Sequence, residues 1–258
     1  MTDIVVAKIG GSTLGSHDTA LADVVELQGR GLHPVVVHGG GALITEWLAR
    51  HNVPTRFEGG LRVTDESSLD IVVAVLAGVV NKEIVASLSA LGGRAIGLSG
   101  ADAGILRART IDEKLGFVGE ITGVDSRQLL LLLDDGLIPV IAPIALEWQG
   151  EKPTAQLLNI NADTAAGAIA AVLQARWLVL LTDVAGVRSV DGEVAPQLSA
   201  VDAERFIESG VIEGGMIPKV RSCLTANAAG CESVIVDGRE EHALLRTIEG
   251  QMTGTTIA

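Results

Sequence analysis

Lys8-Ile9-Gly10-Gly11-Ser12 places a lysine and two adjacent glycines at the end of the first apolar run of the chain. Adjacent glycines let the backbone approach a ligand closely and turn its N–H groups toward it. The lysine adds a mobile positive charge, and a helix predicted to start near Ser16 would favour an anion at its N-terminus. These residues predict a phosphate cradle, although a strand-to-helix turn with a surface lysine is typical of the same short pattern.

Three further stretches carry residue types that could act on an anion. His38-Gly39-Gly40-Gly41 follows a second predicted strand. Asn159-Ile160-Asn161-Ala162-Asp163 places two amides and a carboxylate at the start of a predicted helix, where capping explains one of the three but not all. Lys219 follows Pro218 at another helix start, where a lysine works against the helix dipole, so we expect a partner anion beside it.

Common nucleotide-binding and metal-binding signatures do not fit this sequence. It contains no G-x-x-x-x-G-K-[ST], which excludes a P-loop enzyme, and the glycine run at 39–41 lacks the third glycine of the dinucleotide fingerprint. The five histidines show no metal-ligand spacing, which argues against a structural zinc ion.

A serine esterase is an alternative interpretation of the glycine run. Residues 38–41 resemble an oxyanion-hole loop, residues 97–101 nearly match a nucleophile elbow, and Asp183 and His242 follow in a suitable chain order. The elbow lacks its last glycine, however. An esterase also gives no role to Lys8 or Lys219.

The elements that must position these residues alternate between apolar strands and helices almost throughout the chain. This alternation predicts a mainly parallel sheet covered by helices on both faces, with ligands beyond the carboxyl ends of the strands. The glycine-rich stretches at 10–12, 39–41 and 99–100 and the loop at Asp183 all fall there. A hairpin is predicted around Gly59-Gly60. The helix predicted at 67–80 is apolar nearly all round, which favours a subunit interface.

Composition limits the classes of partner. The 258 residues are 48% hydrophobic and 20% charged, so we expect a packed core. A formal net charge of −13 and an aromatic content of only 2% argue against nucleic acid and anionic membranes as partners. No signal peptide or uncharged apolar run of about 18 residues is recognisable, and Cys223 and Cys231 fit no metal or redox motif. We therefore expect a cytoplasmic protein.

The ordered set of motifs resembles the amino acid kinase family and, within it, the acetylglutamate kinases. The matching stretches span nearly the whole chain in the family's order, and they are residues 8–11, 38–41, 60–65, 76–78 with 81–82, 97–100, 115–119, 159–163 and 214–219. The resemblance implies a three-layer αβα sandwich around a mainly parallel central sheet, the amino acid kinase fold. It implies one domain over 1–258, with an N-terminal lobe of about 1–175 for the acyl amino acid and dimerisation and a C-terminal lobe of about 176–258 for ATP.

The same resemblance implies a reaction. The γ-phosphoryl group of ATP passes to the side-chain carboxylate of N-acetyl-L-glutamate, which is the second step of arginine biosynthesis. Mg²⁺ arrives with ATP, held largely by phosphates and water. A carboxylate acceptor is already ionised at pH 7 and needs no general base, so catalysis depends on positioning and charge stabilisation.

Roles for individual residues also follow from the resemblance. Lys8 and Lys219 stabilise the transferring phosphoryl group, and Asp163 orients both lysines. Gly10, Gly11 and Ser12 bind phosphate. Gly40, Gly41, Arg62, Asn159 and Asn161 bind the acyl amino acid, with Arg62 gripping a carboxylate. The nucleotide is expected to contact Asp183, Val184, Ala185, Gly186, Val187, Arg188, Val211, Ile212 and Glu213.

The motifs are also compatible with two alternative functions. One is an aminoadipate kinase that acts on a substrate linked to an acidic carrier protein, which the net charge of −13 disfavours. The other is a catalytically silent sensor, against which Lys8, Asp163 and Lys219 argue together. The first predicted strand begins at Ile4, which leaves no room before it for the N-terminal helix that arginine-inhibited members usually carry, so the resemblance leads us to expect an arginine-insensitive homodimer.

Overall fold

The computed structural model of the chain describes residues 3–10, 19–251 and 254–258. The predicted helix start near Ser16 and the predicted phosphate contacts Gly11 and Ser12 lie outside these ranges. The strands are β1 (Ile4–Ile9), β2 (His33–His38), β3 (Phe57–Glu58), β4 (Leu61–Arg62), β5 (Ala95–Ser99), β6 (Leu106–Thr110), β7 (Val118–Val124), β8 (Ile138–Ala142), β9 (Ile144–Gln149), β10 (Lys152–Ile160), β11 (Trp177–Thr182), β12 (Gln197–Leu198), β13 (Glu232–Asp237) and β14 (Thr255–Ile257).

The helices alternate with these strands. They are α1 (Ala20–Gly29), α2 (Gly41–Arg50), α3 (Glu66–Val73), α4 (Asn81–Ala90), α5 (Arg127–Asp134), α6 (Ala162–Val172), α7 (Ala200–Glu208), α8 (Met216–Asn227) and α9 (Ala243–Ile248). A π-helical segment, Ala74–Val80, joins α3 to α4.

An eight-stranded sheet in the order β12-β14-β13-β11-β1-β2-β8-β5 forms the centre of the fold. Its strands pair in parallel except for β13 with β14. The parallel pairing explains why the strands are continuous apolar runs, since helices cover both faces. The prediction of a mainly parallel sheet with helices on both faces is confirmed.

Strand β1 shows how the two faces divide the core. Ile4 and Val6 pack in one buried cluster with residues of α5, α6 and α8, whereas Val5, Ala7 and Ile9 pack in another with residues of α1, α3 and α4. Side chains alternate across a strand, so each neighbour of β1 contributes to both clusters in the same way. The result is three layers, helix on sheet on helix.

Strands β6, β7, β9 and β10 form a small closed barrel beside the main sheet. The sequence predicted these strands only as separate extended pieces and a hairpin. Their pairing combines antiparallel and parallel neighbours from distant parts of the chain, which local patterns do not encode. The hairpin predicted around Gly59-Gly60 is confirmed as β3–β4, and both glycines have positive φ angles of 56° and 81°.

One continuous helix spans Glu66–Ala90, where the sequence predicted a helix to 80 and another from Asn81. The predicted break is wrong because the π-helical segment continues the helical path into α4. Asp65 caps its start, as predicted, by accepting a hydrogen bond from Ser68 N–H. Of the described helices, this one alone is long and apolar enough to cross a membrane by length and composition, a test that buried core helices also pass. Its inner face is buried against the main sheet.

Candidate active site

Lys8 lies near the carboxyl end of β1, on the face of the sheet that α6 and α8 cover. It alternates with Ile4 and Val6, whose side chains belong to that face. Because β1 pairs with β2 on one side and with β11 on the other, Lys8 sits in the middle of the sheet and is only 7% exposed. A lysine held there needs a buried partner.

Helix α6 supplies that partner. Asn161 caps the helix, because its Oδ1 accepts hydrogen bonds from the N–H groups of Asp163 and Thr164 at 2.9 and 3.0 Å. The cap fixes Asp163 in the first turn, where the helix dipole favours a carboxylate, and the side chain is buried. The predicted start of this helix at 164 is therefore two residues late, since α6 begins at Ala162.

Helix α8 brings the second lysine. It packs closely on α6 because Gly167 has no side chain, and a Cβ atom there would lie 2.6 Å from the Ser222 carbonyl oxygen. Pro218 lies in the first turn of α8, where proline is tolerated, so the helix begins at Met216 instead of the predicted 220. Lys219 then follows within the same turn and faces Asp163.

Asp163 joins the two lysines. Lys219 Nζ donates a hydrogen bond to Asp163 Oδ2 at 2.9 Å, and Lys8 Nζ forms an ion pair with Asp163 Oδ1 at 2.9 Å. Burial disfavours the Asp163 carboxylate, but the two ammonium groups outweigh burial and lower its pKa. Burial, aided by the charge of Lys219, lowers the pKa of Lys8 although Asp163 opposes the shift. The cluster therefore holds two positive charges against one negative charge in a dry setting.

The glycine run after β2 lies beside this cluster. Gly39 N–H donates to the Ile9 carbonyl oxygen at 3.0 Å, which joins the ends of β1 and β2. Gly40 is the N-cap residue of α2, and Gly41 begins that helix. Gly10 directly follows β1. The structure thus places the described glycines of both predicted anion-binding loops at adjacent strand ends.

Arg62 approaches the same space from the β3–β4 hairpin. Its Nη2 donates to the Gly41 carbonyl oxygen and to Thr45 Oγ1, both at 2.9 Å, and its guanidinium lies 4.7 Å from the centre of the Phe57 ring. Burial lowers the pKa of Arg62. Its Nη1 is buried without a hydrogen-bond partner among the described residues, and a buried donor of this kind favours an anionic ligand.

The two predicted asparagines have different partners. Asn159 Nδ2 donates to Thr64 Oγ1 at 3.0 Å, which leaves Oδ1 as the acceptor that this amide can offer to a ligand. Asn161 Oδ1 is engaged in capping α6. Both residues line the same cavity, but the main contact of Asn161 within the protein is structural.

A cavity of about 210 Å³ brings most of these groups together. Its polar lining includes Lys8, Asp163, Arg62, Asn159 and Asn161, together with the backbone of residues 39–41. Its apolar lining comes from side chains that the sequence did not assign to the site, namely Ile44, Phe57, Leu61, Leu76, Val118, Pro143 and Ile160. We call it the acyl cavity below.

A larger cavity of about 470 Å³ lies by the carboxyl ends of β11 and β13. All nine residues predicted to contact the nucleotide line it: Asp183, Val184, Ala185, Gly186, Val187, Arg188, Val211, Ile212 and Glu213. Its volume falls within the range of about 300–1,000 Å³ that is usual for ligand sites. We call it the nucleotide cavity below.

Four further residues line the nucleotide cavity that the sequence did not indicate: Val194, Met216, Asp237 and Arg239. Arg239 Nε and Nη2 donate to the two carboxylate oxygens of Asp237 at 2.8 and 2.6 Å. The position of Asp237 at the end of a strand next to β11 is a signal that could have found this pair, because ligands gather at that edge of the sheet.

The geometry of a serine esterase is absent from the described residues. Ser99 Oγ donates to Asp102 Oδ2 at 2.9 Å. His242 Nδ1 instead contacts Asp23 Oδ1 at 2.6 Å, on the face of the sheet opposite to that of Lys8. His38 contacts Gly39 and Asn81. No described histidine activates Ser99, so the esterase alternative fails.

Comparisons with known proteins find similar sequences and a similar structure. A sequence model of the amino acid kinase family matches residues 3–237. The acetylglutamate kinase of Dehalococcoides mccartyi is 44% identical over 256 residues, covering 98% of this chain and 94% of that protein. The acetylglutamate kinase of Bradyrhizobium diazoefficiens is 45% identical over 273 residues, covering 99% and 91%. The solved structure of smu.665 from Streptococcus mutans UA159 superimposes with a TM-score of 0.83 at 31% identity, covering 100% and 99%.

Proposed function

The chain belongs to the amino acid kinase family, and from that membership we propose that it transfers the γ-phosphoryl group of ATP to the side-chain carboxylate of N-acetyl-L-glutamate. A carboxylate oxygen forms a bond to the γ-phosphorus while the bond from that phosphorus to the β–γ bridging oxygen breaks. The products are N-acetyl-L-glutamyl 5-phosphate and ADP. This reaction is the second step of arginine biosynthesis, and the two acetylglutamate kinases that match nearly the whole chain support it.

The lysine–aspartate cluster carries the proposal. Phosphoryl transfer between two anions needs positive charge placed where the transferring group will lie, and it needs little covalent chemistry from the protein. Lys8 and Lys219 supply that charge from two different elements, and Asp163 holds both ammonium groups within 2.9 Å of its carboxylate. Because the acceptor is already ionised, the cluster needs no general base.

The charges that line the acyl cavity favour an N-acylated dicarboxylate. Among its described lining residues the only carboxylate is Asp163, which already pairs with two lysines. A free α-ammonium group would therefore find no counter-ion in this cavity and would face the positive charge of Arg62. An amide carries no charge, its N–H can donate to Asn159 Oδ1, and the α-carboxylate can accept from Arg62 Nη1.

ATP occupies the nucleotide cavity in this proposal, and its triphosphate extends to the described glycines beside Lys8. Among the described residues no group of three or more His, Cys, Asp or Glu side chains could hold a metal ion. In the proposal, a Mg²⁺ ion arrives with the nucleotide and is held largely by phosphate oxygens and water. When bound, the ion would neutralise charge on the phosphates.

The proposal also gives the two lobes of the chain separate ligands. The lobe of about residues 1–175 binds the acyl amino acid, and the lobe of about residues 176–258 binds ATP. A homodimer forms through the outer face of the helix Glu66–Ala90. The side chains of Ile71, Val73 and Val79 support this interface, because they are apolar and only partly buried within one copy of the chain.

Trapping of the acyl phosphate as a hydroxamate tests the proposed function. The purified protein is incubated with ATP, Mg²⁺ and hydroxylamine, with N-acetyl-L-glutamate, free glutamate, aspartate or aminoadipate as the acceptor. We expect hydroxamate with N-acetyl-L-glutamate and at least tenfold less with free glutamate. Turnover of none of these acceptors, with ATP binding intact, would contradict the proposal and favour a carrier-linked substrate or a sensor.

A further inference from the structure

His38 is the last residue of β2 and is buried directly beneath the glycine run at 39–41. Its Nδ1 lies 3.0 Å from the Gly39 carbonyl oxygen, and its Nε2 lies 3.2 Å from Asn81 Nδ2. Asn81 is itself fully buried at the start of α4. A buried histidine between a backbone carbonyl and a buried amide is held in one orientation.

The partners of Asn81 fix which ring nitrogen carries the proton. Asn81 Nδ2 also donates to the carbonyl oxygens of Val140 and Leu98 at 2.9 and 3.2 Å, and Asn81 Oδ1 accepts from Lys82 Nζ at 3.0 Å. The amide nitrogen cannot accept a hydrogen bond, and its two hydrogens are shared among the Val140 and Leu98 carbonyl oxygens and His38 Nε2, so Nε2 must be the unprotonated, accepting nitrogen. Consequently Nδ1 bears the hydrogen and donates to Gly39. Burial lowers the pKa of His38 to about 4, so the ring is neutral at pH 7.

The bond from His38 to Gly39 determines where the next N–H group points. In a trans peptide the C=O and the following N–H lie on opposite sides of the chain. When the Gly39 carbonyl is held toward His38, the Gly40 N–H is directed away from it. Gly40 lines the acyl cavity, and none of the described residues accepts a hydrogen bond from its N–H.

We propose that His38 is a positioning residue of the kinase, which holds the Gly39–Gly40 peptide so that the Gly40 N–H donates to the anion bound in the acyl cavity. This inference rests on the proposed function. It assigns no proton transfer to His38, because the Nδ1 hydrogen is already committed to a carbonyl oxygen. The bond that matters is the one from Nδ1 to Gly39, and the bond from Asn81 keeps the ring in the correct tautomer.

The helix beside this loop supports the same peptide from a second side. Leu76 and Val80 of the π-helical segment pack against Gly40, where a Cβ atom would lie 2.8 Å from Leu76 Cδ2. Segments of π-helix occur frequently at functional sites. Gly97 leaves room for the amide of Asn81, since a side chain there would overlap Asn81 Oδ1. The loop is therefore held by packing and by the His38 hydrogen bond together.

Two substitutions separate the two nitrogens of the ring. His38→Asn retains a donor near the position of Nδ1, whereas His38→Gln retains an acceptor near the position of Nε2. In His38→Asn the Asn81 amide keeps its bonds to Val140 and Leu98. We expect His38→Gln to lower kcat at least tenfold and to change the KM for ATP less than twofold. The reason is that a displaced Gly40 N–H group stabilises the charge at the reacting group less well. His38→Asn should restore kcat to within about threefold of the wild-type value.

Deuterium exchange provides a readout that does not depend on turnover. The peptide that contains residues 39–41 should exchange faster in His38→Gln than in wild type or His38→Asn. The exposed His51 gives a matched control, His51→Gln, which should change neither activity nor exchange.

Equal loss in both His38 variants, or full activity and unchanged exchange in His38→Gln, would overturn the inference. If the wild-type protein phosphorylates N-acetyl-L-glutamate and the two variants behave alike, the proposed function stands and the role of His38 fails. If no acceptor is phosphorylated, the exchange comparison still decides whether His38 positions the loop.

Discussion

The ammonium nitrogen of Lys8 lies 2.9 Å from Asp163 Oδ1, which joins the central strand of the sheet to the first turn of α6. Both side chains are more than nine-tenths buried. A buried ion pair contributes little net stability, because desolvation of both charges offsets their attraction. Its presence at the edge of the sheet where ligands bind therefore favours a functional explanation over a structural one.

Lys8→Ala should lower kcat about 10²-fold or more, with a smaller change in either KM, because Lys8 stabilises charge that develops on the transferring phosphoryl group. The variant should fold, since Asp163 keeps its bond to Lys219. Steady-state kinetics with both substrates varied measure the effect. Lys114→Ala removes an exposed lysine and is the control. An unchanged kcat in Lys8→Ala would remove Lys8 from the mechanism.

Asp163→Asn should lower kcat by at least about 10²-fold, because both lysines lose the carboxylate that orients them and then repel each other. The loss of a buried counter-ion should also lower the free energy of unfolding by about 3–5 kcal/mol. Urea unfolding and kinetics are measured on the same preparation, beside the control Asp135→Asn at an exposed carboxylate. Near-normal turnover in Asp163→Asn would refute the orienting role.

Arg62→Ala should raise the KM for N-acetyl-L-glutamate about tenfold or more and leave the KM for ATP within twofold of wild type. The physical reason is the buried Nη1, which only the acyl amino acid can satisfy in the proposed complex. Arg50→Ala is a suitable control because Arg50 is exposed and pairs with Glu46. An effect of Arg62→Ala on kcat alone would contradict a binding role.

Gly186→Ala should raise the KM for ATP about tenfold. Gly186 has a φ angle of 152°, and a Cβ atom there would lie 2.6 Å from Thr255 Oγ1 and 2.7 Å from Val194 Cγ1. Accommodating it must move the loop that lines the nucleotide cavity. Gly150→Ala is the control, because Gly150 also has a positive φ of 63° but has open space around it. An unchanged KM for ATP in Gly186→Ala would exclude the loop from nucleotide binding.

His242 should make stability depend on pH through its contact with Asp23. The hydrogen bond to Asp23, reinforced by its charge, raises the pKa of His242, and Glu241 lies 4.0 Å from the other ring nitrogen. A raised pKa in the folded state means that the stabilisation is fully present below about pH 6.5 and is lost as pH rises through the folded pKa. Burial raises the pKa of Asp23, and the histidine opposes that shift.

The difference in Tm between wild type and His242→Gln should therefore be larger at pH 6 than at pH 9. Differential scanning calorimetry in matched buffers measures it, with His51→Gln at an exposed position as the control. A difference in Tm that stays constant over this range would show that the Asp23–His242 contact carries no charge-dependent stability.

The sequence predicted the central sheet well because each of its main strands is a short apolar run that ends in a glycine-rich or polar loop. The same regularity placed the loops after β1, β2 and β11 at one edge of the sheet. It could not place α6 against α8, since that contact depends on Gly167 and Ser222, which no local pattern connects. The predicted meeting of Lys8, Asp163 and Lys219 came from the resemblance to a family.

The contacts that the sequence did not predict are long-range or depend on one residue to which the sequence assigned no role. Asn81 lies in a stretch that matches the family but had no predicted role, yet it contacts His38, Leu98 and Val140 on three neighbouring strands. Asn161 was assigned to substrate, but its Oδ1 caps α6. Side-chain amides serve both purposes at helix starts, so residue type alone does not separate them.

The fate of a labelled oxygen tests the central claim most directly. N-Acetyl-L-glutamate with both side-chain carboxylate oxygens replaced by ¹⁸O is incubated with ATP, Mg²⁺ and the enzyme, and hydroxylamine then cleaves the acyl phosphate at its carbonyl carbon. If the carboxylate attacks the γ-phosphorus, the released inorganic phosphate carries one ¹⁸O atom, seen as an isotope shift in its ³¹P resonance. Release of unlabelled phosphate only, from attack by water, or no release at all, would contradict the account.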